Sequence, residues 1–250
     1  MDNNSLEIIY GINPIISSLN EGNLYKIIVV KDTKNPKIWD IIKKAKKKKI
    51  KVLFKEKSFF RQYRDYSHQG IIGFIQLGNF INYEEFLNII SKTKEDIVFF
   101  DSITDTGNMG AMIRTSFLLG IKYILLPLKN TAPINETVLK TSTGAALKVN
   151  FITVKKEYNS FISDLKAIGY NIISLEASGN IFIEELIKKD ITLSPFLLVI
   201  GGEDRGVHRK ILKSSDYILK LNMKNSQDIN SYNASVAFGI SLYLLKNLKQ

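Results

Sequence analysis

The chain has 250 residues, of which 45% are apolar, enough for one large domain or two small ones with buried cores. It contains no cysteine and only two histidines, His68 and His208. That composition excludes disulfides, thiolate zinc sites and a cysteine nucleophile, and it leads us to expect no metal site.

The charge is strongly basic and unevenly distributed. Formal net charge is +11, and residues 1–75 hold 15 of the 35 Lys and Arg but only 7 of the 24 Asp and Glu. The excess peaks in a lysine-rich run over 43–49. Biased codon usage or a solvated helix face would also produce such a run, but its concentration in one segment favours contact with a polyanion.

The chain shows no feature of a secreted or membrane protein. Its first residues lack the basic start and apolar run of a signal peptide. No window approaches the roughly 18 apolar residues of a membrane span. We therefore expect a soluble, cytoplasmic protein with no membrane partner.

The first part of the chain alternates between helical and β-branched patterns. The predicted elements are a helix over 11–19, a strand over 25–30, a helix over 36–48, a strand over 51–54, a weak helix over 58–63 and a strand over 70–76. Alternation of this kind is typical of a small α/β layer.

A polar connection over 78–94, with room for a short helix, leads to a second alternating series. The predicted strands are 97–100, 122–126, 150–153, 171–175, 196–200 and 217–221, with helices over 109–119, 135–141, 158–168, 208–212 and 231–245 and a further segment over 182–187. This pattern predicts a mainly parallel sheet covered by helices on both faces. We place domains at 1–77 and 95–250, with 78–94 as the linker.

The loops that follow apolar strands are the places where a parallel sheet binds ligands. The first such loop runs from Asp101 to a helix that carries Asn108 and Arg114. Asn108 near the helix start could be a plain helix cap, and Arg114 could form a surface salt bridge. The spacing of six residues is expected to put the two side chains on nearly the same side of the helix, where Arg114 would either reach solvent or meet an anion.

The second loop begins with Gly201 and Gly202, followed by Glu203 and later by Gly206. Glycines at the end of a strand allow a ligand to approach the backbone closely. The spacing is not that of a dinucleotide-binding GxGxxG motif, and a tight turn would have the same composition. An acidic residue directly after the two glycines suits a ligand that carries a ribose or a positive centre.

The third segment follows Leu221 and Met223 and displays Ser231, Asn233 and Ser235 near the start of an apolar helix. One such side chain would suffice as a cap, so three indicate a binding surface. No serine, histidine and aspartate order of a hydrolase is present. His208 is expected to begin a helix, and His68 to lie in a turn or to contact a partner.

Taken in order, these three segments resemble the motifs of the SpoU (TrmH-type) RNA ribose 2′-O-methyltransferases of the SPOUT superfamily. Asn108 and Arg114 match the first motif, the segment from Gly201 to Gly206 the second, and the core Ser231, Asn233, Ser235 the third. Segments 10–15, 68–70 and 135–145 further resemble the subgroup that methylates a guanosine of 23S ribosomal RNA.

The resemblance implies the fold, the cofactor and the partners. It implies a small amino-terminal RNA-binding α/β domain, similar to a ribosomal protein, followed by an α/β trefoil-knot methyltransferase domain. S-adenosylmethionine would be the cofactor, RNA the substrate, and the enzyme a homodimer.

It also implies roles for individual residues. Arg114, Asn108, Glu203, Ser231 and Asn233 would form the catalytic set. The cofactor-binding residues would be Gly201, Gly202, Leu221, Met223, Tyr232 and Ala234. The RNA-binding residues would be Lys43, Lys44, Lys46, Lys47 and His68. Asn222, Asn225 and Tyr232 depart from the residues usual in that family, and they touch the expected adenosine pocket.

Three other functions stay open at this point. A relative could modify transfer RNA or an adenosine of ribosomal RNA. A non-catalytic RNA-binding or ribosome-assembly protein could share the fold. A nicotinamide oxidoreductase is disfavoured by the absence of GxGxxG.

Overall fold

The computed structural model describes residues 6–76, 78–188, 193–224 and 231–247. The chain divides into two compact units, residues 1–77 and 78–250. The predicted polar loop over 224–230, including Asn225, lies outside the described residues apart from Lys224.

The first unit is a four-stranded sheet with helices. Its elements are β1 (Leu6–Tyr10), α1 (Ile12–Glu21), β2 (Leu24–Val30), α2 (Pro36–Lys47), β3 (Lys51–Lys55), a 3₁₀ helix (Lys57–Tyr63) and β4 (Ile71–Gln76). The strand order is β1-β4-β2-β3. β1 was not predicted, and it pairs antiparallel with β4, as β2 does, while β2 and β3 run parallel.

The sequence of α2 explains why it forms and which face it exposes. Asn35 caps the helix by accepting a hydrogen bond from the Lys37 N–H at 3.0 Å, and Pro36 stands in the first turn, where its missing N–H costs nothing. The apolar side chains Ile38, Ile41, Ile42 and Ala45 are buried. The intervening lysines are therefore displayed on the outer side of the helix.

Two different layers cover the two faces of this sheet. On one face, Ile15 of α1 lies so close to Gly73 that a Cβ there would be 2.9 Å from its Cγ1, and α2 packs beside α1. On the other face, Ile28, Phe60 and Ile72 form a buried cluster beneath aromatic residues of the 3₁₀ helix. α2 and the aromatic cluster thus lie on opposite faces.

The second unit is built on an eight-stranded sheet. Its strands are β5 (Asn79–Phe80), β6 (Ile97–Asp101), β7 (Tyr123–Pro127), β8 (Asn150–Val154), β9 (Asn171–Leu175), β10 (Ile181–Phe182), β11 (Phe196–Gly201) and β12 (Tyr217–Lys220). They lie in the order β10-β12-β9-β11-β6-β7-β8-β5, and every neighbouring pair is parallel.

Helices cover both faces of this sheet, as predicted. They are α3 (Tyr83–Thr93), α4 (Thr106–Leu118), α5 (Glu136–Thr141), α6 (Tyr158–Ile168), α7 (Ile183–Lys188), α8 (Arg209–Ser214) and α9 (Ala234–Asn247). Phe99 packs on one face against Phe161 of α6, and its neighbour Phe100 on the other against Phe238 of α9. Alternate side chains of a buried strand therefore anchor two helical layers.

The segment over 78–94 differs from the predicted linker. Within it, β5 pairs with β8, and α3 buries Phe86 and Ile90 in the same core as Phe99. Its two apolar side chains are spaced as one helical face requires, so the segment packs as part of the second unit.

Among the described residues, no helix is long and apolar enough to cross a membrane. No group of three or more potential metal ligands comes together in that part of the chain.

Candidate active site

The carboxyl ends of all eight parallel strands lie at one edge of the second sheet, because parallel strands point the same way. At this edge the loop after β6, the loop after β11 and the residues before α9 come together. These are the three segments that the sequence singled out. The fold brings them together although 125 residues separate Asn108 from Asn233.

Asn108, Glu203 and Asn233 form a closed hydrogen-bonded triangle, which we call the amide–carboxylate network. The Asn108 Nδ2 donates to Glu203 Oε1 at 3.0 Å, and the Asn233 Nδ2 donates to the same oxygen at 2.8 Å. The Asn233 Nδ2 also donates to the Asn108 Oδ1 at 3.0 Å. Hydrogen bonds to an ionised acceptor are the stronger kind, so the carboxylate holds both amides in place.

Asn233 has a second task at the start of α9. Its Oδ1 accepts from the Ser235 N–H at 3.0 Å and from the Ser235 hydroxyl at 2.7 Å. The helix begins at Ala234, so Ser231 and Asn233 precede it, whereas the sequence placed both in its first turn. Asn233 therefore caps the helix with its oxygen and fixes Glu203 with its nitrogen.

Asn108 is not a helix cap. α4 begins at Thr106, and the side chain of Asp105 accepts from the Asn108 N–H at 2.6 Å. Because Asp105 performs the capping, the amide of Asn108 is left for the network.

Arg114 lies apart from the network. A helix turns by about 100° per residue, so six residues put Arg114 about 120° around α4 from Asn108, and our expectation of a shared face was wrong. Its side chain is exposed. Among the described residues it makes no hydrogen bond or ion pair with Asn108, Glu203 or Asn233.

Gly201, the last residue of β11, and Gly202 let the chain pack closely against itself. A Cβ on Gly201 would lie 1.9 Å from the Gly206 carbonyl carbon, and one on Gly202 would lie 2.4 Å from the Ser102 carbonyl oxygen. Gly202 and Gly206 also form an isolated β-bridge that closes the loop. The loop therefore folds back on its own strand, and a side chain at either position would prop it open.

All six predicted cofactor residues line one cavity of about 630 Å³, a volume typical of small-molecule sites. These are Gly201, Gly202, Leu221, Met223, Tyr232 and Ala234. Glu203, Ser231 and Asn233 of the predicted catalytic set line it too. Its wall mixes carboxylates and a hydroxyl with apolar side chains, a composition that suits a nucleoside bearing a positive centre.

Glu176 and Arg205 also line this cavity, and sequence reasoning gave neither of them a role. Glu176 follows β9, and its Oε2 accepts from the Val207 N–H at 3.1 Å. Arg205 lies in the loop after β11. The end of β9 carried no glycine or motif, so only its position at the carboxyl edge of the sheet could have indicated Glu176.

Tyr232 and Asn222, which depart from the family pattern, interact with each other. The Tyr232 hydroxyl donates to the Asn222 carbonyl oxygen at 3.3 Å. This bond joins the segment after β12 to the approach to α9. Because the acceptor is a backbone oxygen, the bond depends on the side chain of Tyr232 and not on the side chain at position 222.

A smaller cavity, of about 210 Å³, adjoins the network on its other side. Asn108, Glu203 and Arg205 line it together with Ser102 and Asn130, and the last two adopt positive φ angles of 62° and 57°. Such backbone is unusual for non-glycine residues and clusters at functional sites.

The predicted RNA-binding residues of the first unit fall into two places. Lys43, Lys44, Lys46 and Lys47 are exposed on α2. His68 lies in the turn before β4, where its Nδ1 accepts from the Gly70 N–H at 3.0 Å and its ring packs beside Phe60. Because α2 and Phe60 cover opposite faces, the structure does not bring His68 together with the lysines.

Two protein-family models match the chain. Residues 95–243 match the SpoU rRNA Methylase family, and residues 8–79 match the RNA 2'-O ribose methyltransferase substrate binding family. The two matched regions correspond to the two structural units.

Similar proteins and structures carry related descriptions. The chain is 32% identical over 241 residues to a protein of Archaeoglobus fulgidus described as an uncharacterized tRNA/rRNA methyltransferase, covering 95% of this chain and 97% of that one. It is 29% identical to a putative TrmH family tRNA/rRNA methyltransferase of Staphylococcus epidermidis, with coverage of 94% and 93%. The AdoMet-bound rRNA methyltransferase of Sinorhizobium meliloti has the same fold, with a TM-score of 0.60, 20% identity and coverage of 97% and 87%.

Proposed function

The chain belongs to the SpoU rRNA methylase family, and from that premise we propose that it transfers a methyl group from S-adenosylmethionine to the 2′-hydroxyl of a ribose in RNA. The resemblance drawn from three short motifs is confirmed at the level of the family. A guanosine of 23S ribosomal RNA is our preferred target, because segments 10–15, 68–70 and 135–145 resemble that subgroup.

The observation that carries this proposal is the meeting of the amide–carboxylate network with the 630 Å³ cavity. Glu203 and Asn233 belong to both. The site therefore places polar groups of fixed orientation at the boundary between a nucleoside-sized cavity and the smaller cavity beside Asn108. Methyl transfer needs such a boundary, because donor and acceptor must be held in line.

The residues of this chain have mainly to position and to stabilise charge. S-adenosylmethionine, when bound, supplies an activated methyl group. Glu176, Glu203 and Ser231 provide polar groups around the cavity, and the backbone at Gly201, Leu221 and Tyr232 would hold the adenosine. The network would orient the target ribose.

Arg114 keeps the role that the motif gives it, but not as a base. A guanidinium stays protonated in almost any protein site, so Arg114 would hold a phosphate beside the target ribose or stabilise the developing alkoxide. Its distance from the network of its own chain leads us to propose that it serves the site of a second protomer.

A homodimer is supported by an apolar stripe on α4 and α9, two helices that pack against each other. Val236, Ile240 and Tyr243 recur at helical spacing and are exposed, and Leu118 is 70% exposed one turn after Arg114. An apolar surface of this kind marks an interaction site. A second copy of the chain would cover it and would bury Arg114 at the interface.

The trefoil knot and the roles of the domains belong to the same proposal. β11 inserts between β9 and β6, and β12 returns beside β9, an order compatible with a knotted chain, which is rare among folds. We further propose that the first unit binds substrate RNA, and that the protein acts in the cytoplasm.

Transfer RNA is the second candidate substrate, because the relatives from Archaeoglobus and Staphylococcus are described as tRNA/rRNA methyltransferases. A non-catalytic RNA-binding protein is disfavoured, because Asn108, Glu203 and Asn233 are all present and joined.

The purified protein should incorporate labelled methyl groups from S-adenosylmethionine into unmodified 23S ribosomal RNA. Methylation of the ribose makes the adjacent phosphodiester resistant to alkali, so labelled alkali-resistant dinucleotides are the expected product. Mapping 2′-O-methyl positions in cells with and without the gene identifies the nucleotide. Label in transfer RNA alone would overturn the ribosomal assignment, and no label in either RNA would overturn the activity.

Arg114 variants provide the control for this experiment. Arg114→Ala should lower turnover by about 10²- to 10³-fold, as loss of a transition-state contact does, while binding of S-adenosylhomocysteine is retained. Arg114→Lys keeps the positive charge but loses the planar, forked guanidinium. Its turnover should therefore lie between those of the unaltered protein and Arg114→Ala. Unchanged turnover in Arg114→Ala would remove Arg114 from the catalytic set.

A further inference from the structure

A third cavity, of about 760 Å³, lies at the same edge of the second sheet, and we call it the basic cleft. Its cations follow three strands: Lys129 comes after β7, Lys155 and Lys156 come after β8, and Arg205, Arg209 and Lys210 follow β11. Neither the motifs nor the catalytic assignments above account for it.

The charge of the cleft contrasts with that of the unit that contains it. Residues 78–250 hold 20 Lys and Arg against 17 Asp and Glu, a nearly balanced set. Six of those cations line the cleft together with only two acids, Asp101 and Glu157. The fold therefore concentrates positive charge in one cleft of a unit whose overall charge is nearly balanced.

The two acids of the cleft are already engaged. Asp101 is 1% exposed, and it accepts hydrogen bonds from the Tyr158 hydroxyl at 3.1 Å and from the His208 N–H at 2.8 Å. Burial and the nearby Asp101 raise the pKa of Tyr158 above its ordinary value, so its hydroxyl stays a donor. Glu157 forms an ion pair with Lys210 at 2.9 Å.

Several cations have no such partner. Lys156 pairs with Asp164 at 3.0 Å, but Lys129, Arg205 and Arg209 are exposed and form no ion pair with any residue that the structure describes. His208 contributes a further polar group: its Nδ1 accepts from the Lys210 N–H at 3.2 Å, which leaves Nε2 for a ligand. A cleft with unpaired cations favours an anion.

The cleft adjoins the methyl-transfer site. Ser102, Asn130 and Arg205 line both the basic cleft and the small cavity beside Asn108 and Glu203. Any chain whose ribose reached the network could therefore continue into the cleft, and a chain with one phosphate per nucleotide would meet several cations there.

We propose that the basic cleft binds the phosphodiester backbone of single-stranded RNA next to the target nucleotide. That the bound strand is RNA rests on the proposed function. Its location in the cleft rests on the charges of the cleft and on the residues that line both the cleft and the small cavity. The contact is sequence-independent, because it is made to phosphates. It adds a second RNA-binding surface, separate from the lysines of α2.

The test compares two double variants of the full chain that remove equal charge. Lys129→Gln/Arg209→Gln alters the cleft. Lys92→Gln/Lys213→Gln is the control, because both lysines are exposed outside the cleft, and Lys213 lies on α8 like Arg209. The probe is a fluorescein-labelled 20-nucleotide uridine strand, whose dissociation constant is measured by anisotropy from 50 to 400 mM KCl.

The cleft variant should bind the strand about tenfold more weakly at low salt. Its slope of log K against log salt should be shallower by about 1.4, because each phosphate contact on a single strand contributes about 0.7. The control variant should change the dissociation constant and the salt slope only slightly, because its two lysines lie outside the cleft. Lys129→Arg/Arg209→Lys preserves charge and should restore the slope.

Two further readouts separate this inference from the proposed function. Both variants should bind S-adenosylhomocysteine like the unaltered protein, and the unaltered protein should methylate RNA. If it methylates RNA while the cleft and control variants show equal slopes, the cleft inference is overturned and the activity stands. If the cleft variant alone loses uridine-strand binding while no RNA is methylated, the cleft binds RNA and the activity is overturned.

Discussion

Asn233 shows how one side chain can connect a helix terminus to a site. Its oxygen caps α9, and its nitrogen holds Glu203 and Asn108. A carboxylate in place of the amide would keep the cap acceptor and lose both donors. The two tasks can therefore be separated by a single isosteric substitution.

Asn233→Asp should leave thermal stability almost unchanged and lower methyl transfer by about 10- to 100-fold, because a misplaced group can cost that much. The new carboxylate would face Glu203 and repel it. Asn233→Ala should lose both tasks, including about 1 kcal/mol of capping free energy. Melting temperature and turnover, measured on both variants, check this. Full activity in Asn233→Asp would mean that the network plays no part in the reaction.

At the scale of single residues, the resemblance to family motifs grouped Asn108, Glu203 and Asn233, and the structure joins these three side chains by hydrogen bonds. It also grouped Arg114 with them, but Arg114 lies apart from the network. Capping by Asp105 and the packing of Gly201 against Gly206 depend on backbone geometry that one-dimensional spacing does not contain. Glu176 follows an apolar strand without a motif, and only the fold brings it to the cavity.

At the scale of elements, α9 has two apolar faces. Phe238 and Leu242 are buried against the sheet, while Val236, Ile240 and Tyr243 are exposed, the last by 59%. A surface helix with one apolar stripe needs one partner layer to cover it. Because α9 has two apolar faces, it needs a second partner layer. The exposed face is the element on which the proposed dimer depends.

Ile240→Glu should convert the dimer to a monomer, because a buried unpaired charge at an interface is strongly unfavourable. Light scattering coupled to size exclusion measures the mass. Phe54→Glu is the matched control, since Phe54 is an exposed apolar residue of β3 in the other unit. Methyl transfer should fall with the dimer if Arg114 serves the partner's site. A monomeric variant with full turnover would show that each protomer works alone.

The elements predicted from sequence were those with strong periodicity. The buried strands β6, β9 and β11 and the helices α2 and α6 are confirmed nearly to the residue. β1 was not predicted because this short segment becomes a strand by pairing with β4, which lies some 65 residues away in the sequence. β5 has two residues, too few for any pattern, and its absence made the segment before β6 look like a linker.

At the scale of the molecule, positive charge falls on two surfaces, one in each unit. The lysines of α2 form the first, and the basic cleft forms the second. Composition along the sequence indicated the first, because its lysines are contiguous. The second draws on three loops that are distant in sequence, and only the strand order brings them together.

Replacing Lys43, Lys44, Lys46 and Lys47 by Gln should weaken RNA binding and flatten its salt dependence, because neutralised phosphates set the slope. The buried face of α2 is untouched, so the melting temperature should hold within a few degrees. Binding is measured with the 23S ribosomal RNA substrate over a range of salt. An unaltered slope would show that α2 merely carries solvated charge. Lys34 and Lys57, both exposed outside this helix, provide a control pair.

Arg205 lies where the nucleoside-sized cavity, the small cavity and the basic cleft converge, since it lines all three. One guanidinium cannot take its best position for three ligands at once. Occupation of one cavity should therefore change the affinity of the others, and by thermodynamic linkage the effect must be reciprocal. The RNA strand and the nucleoside would then enter and leave in a preferred order, set by a single side chain in the loop after β11.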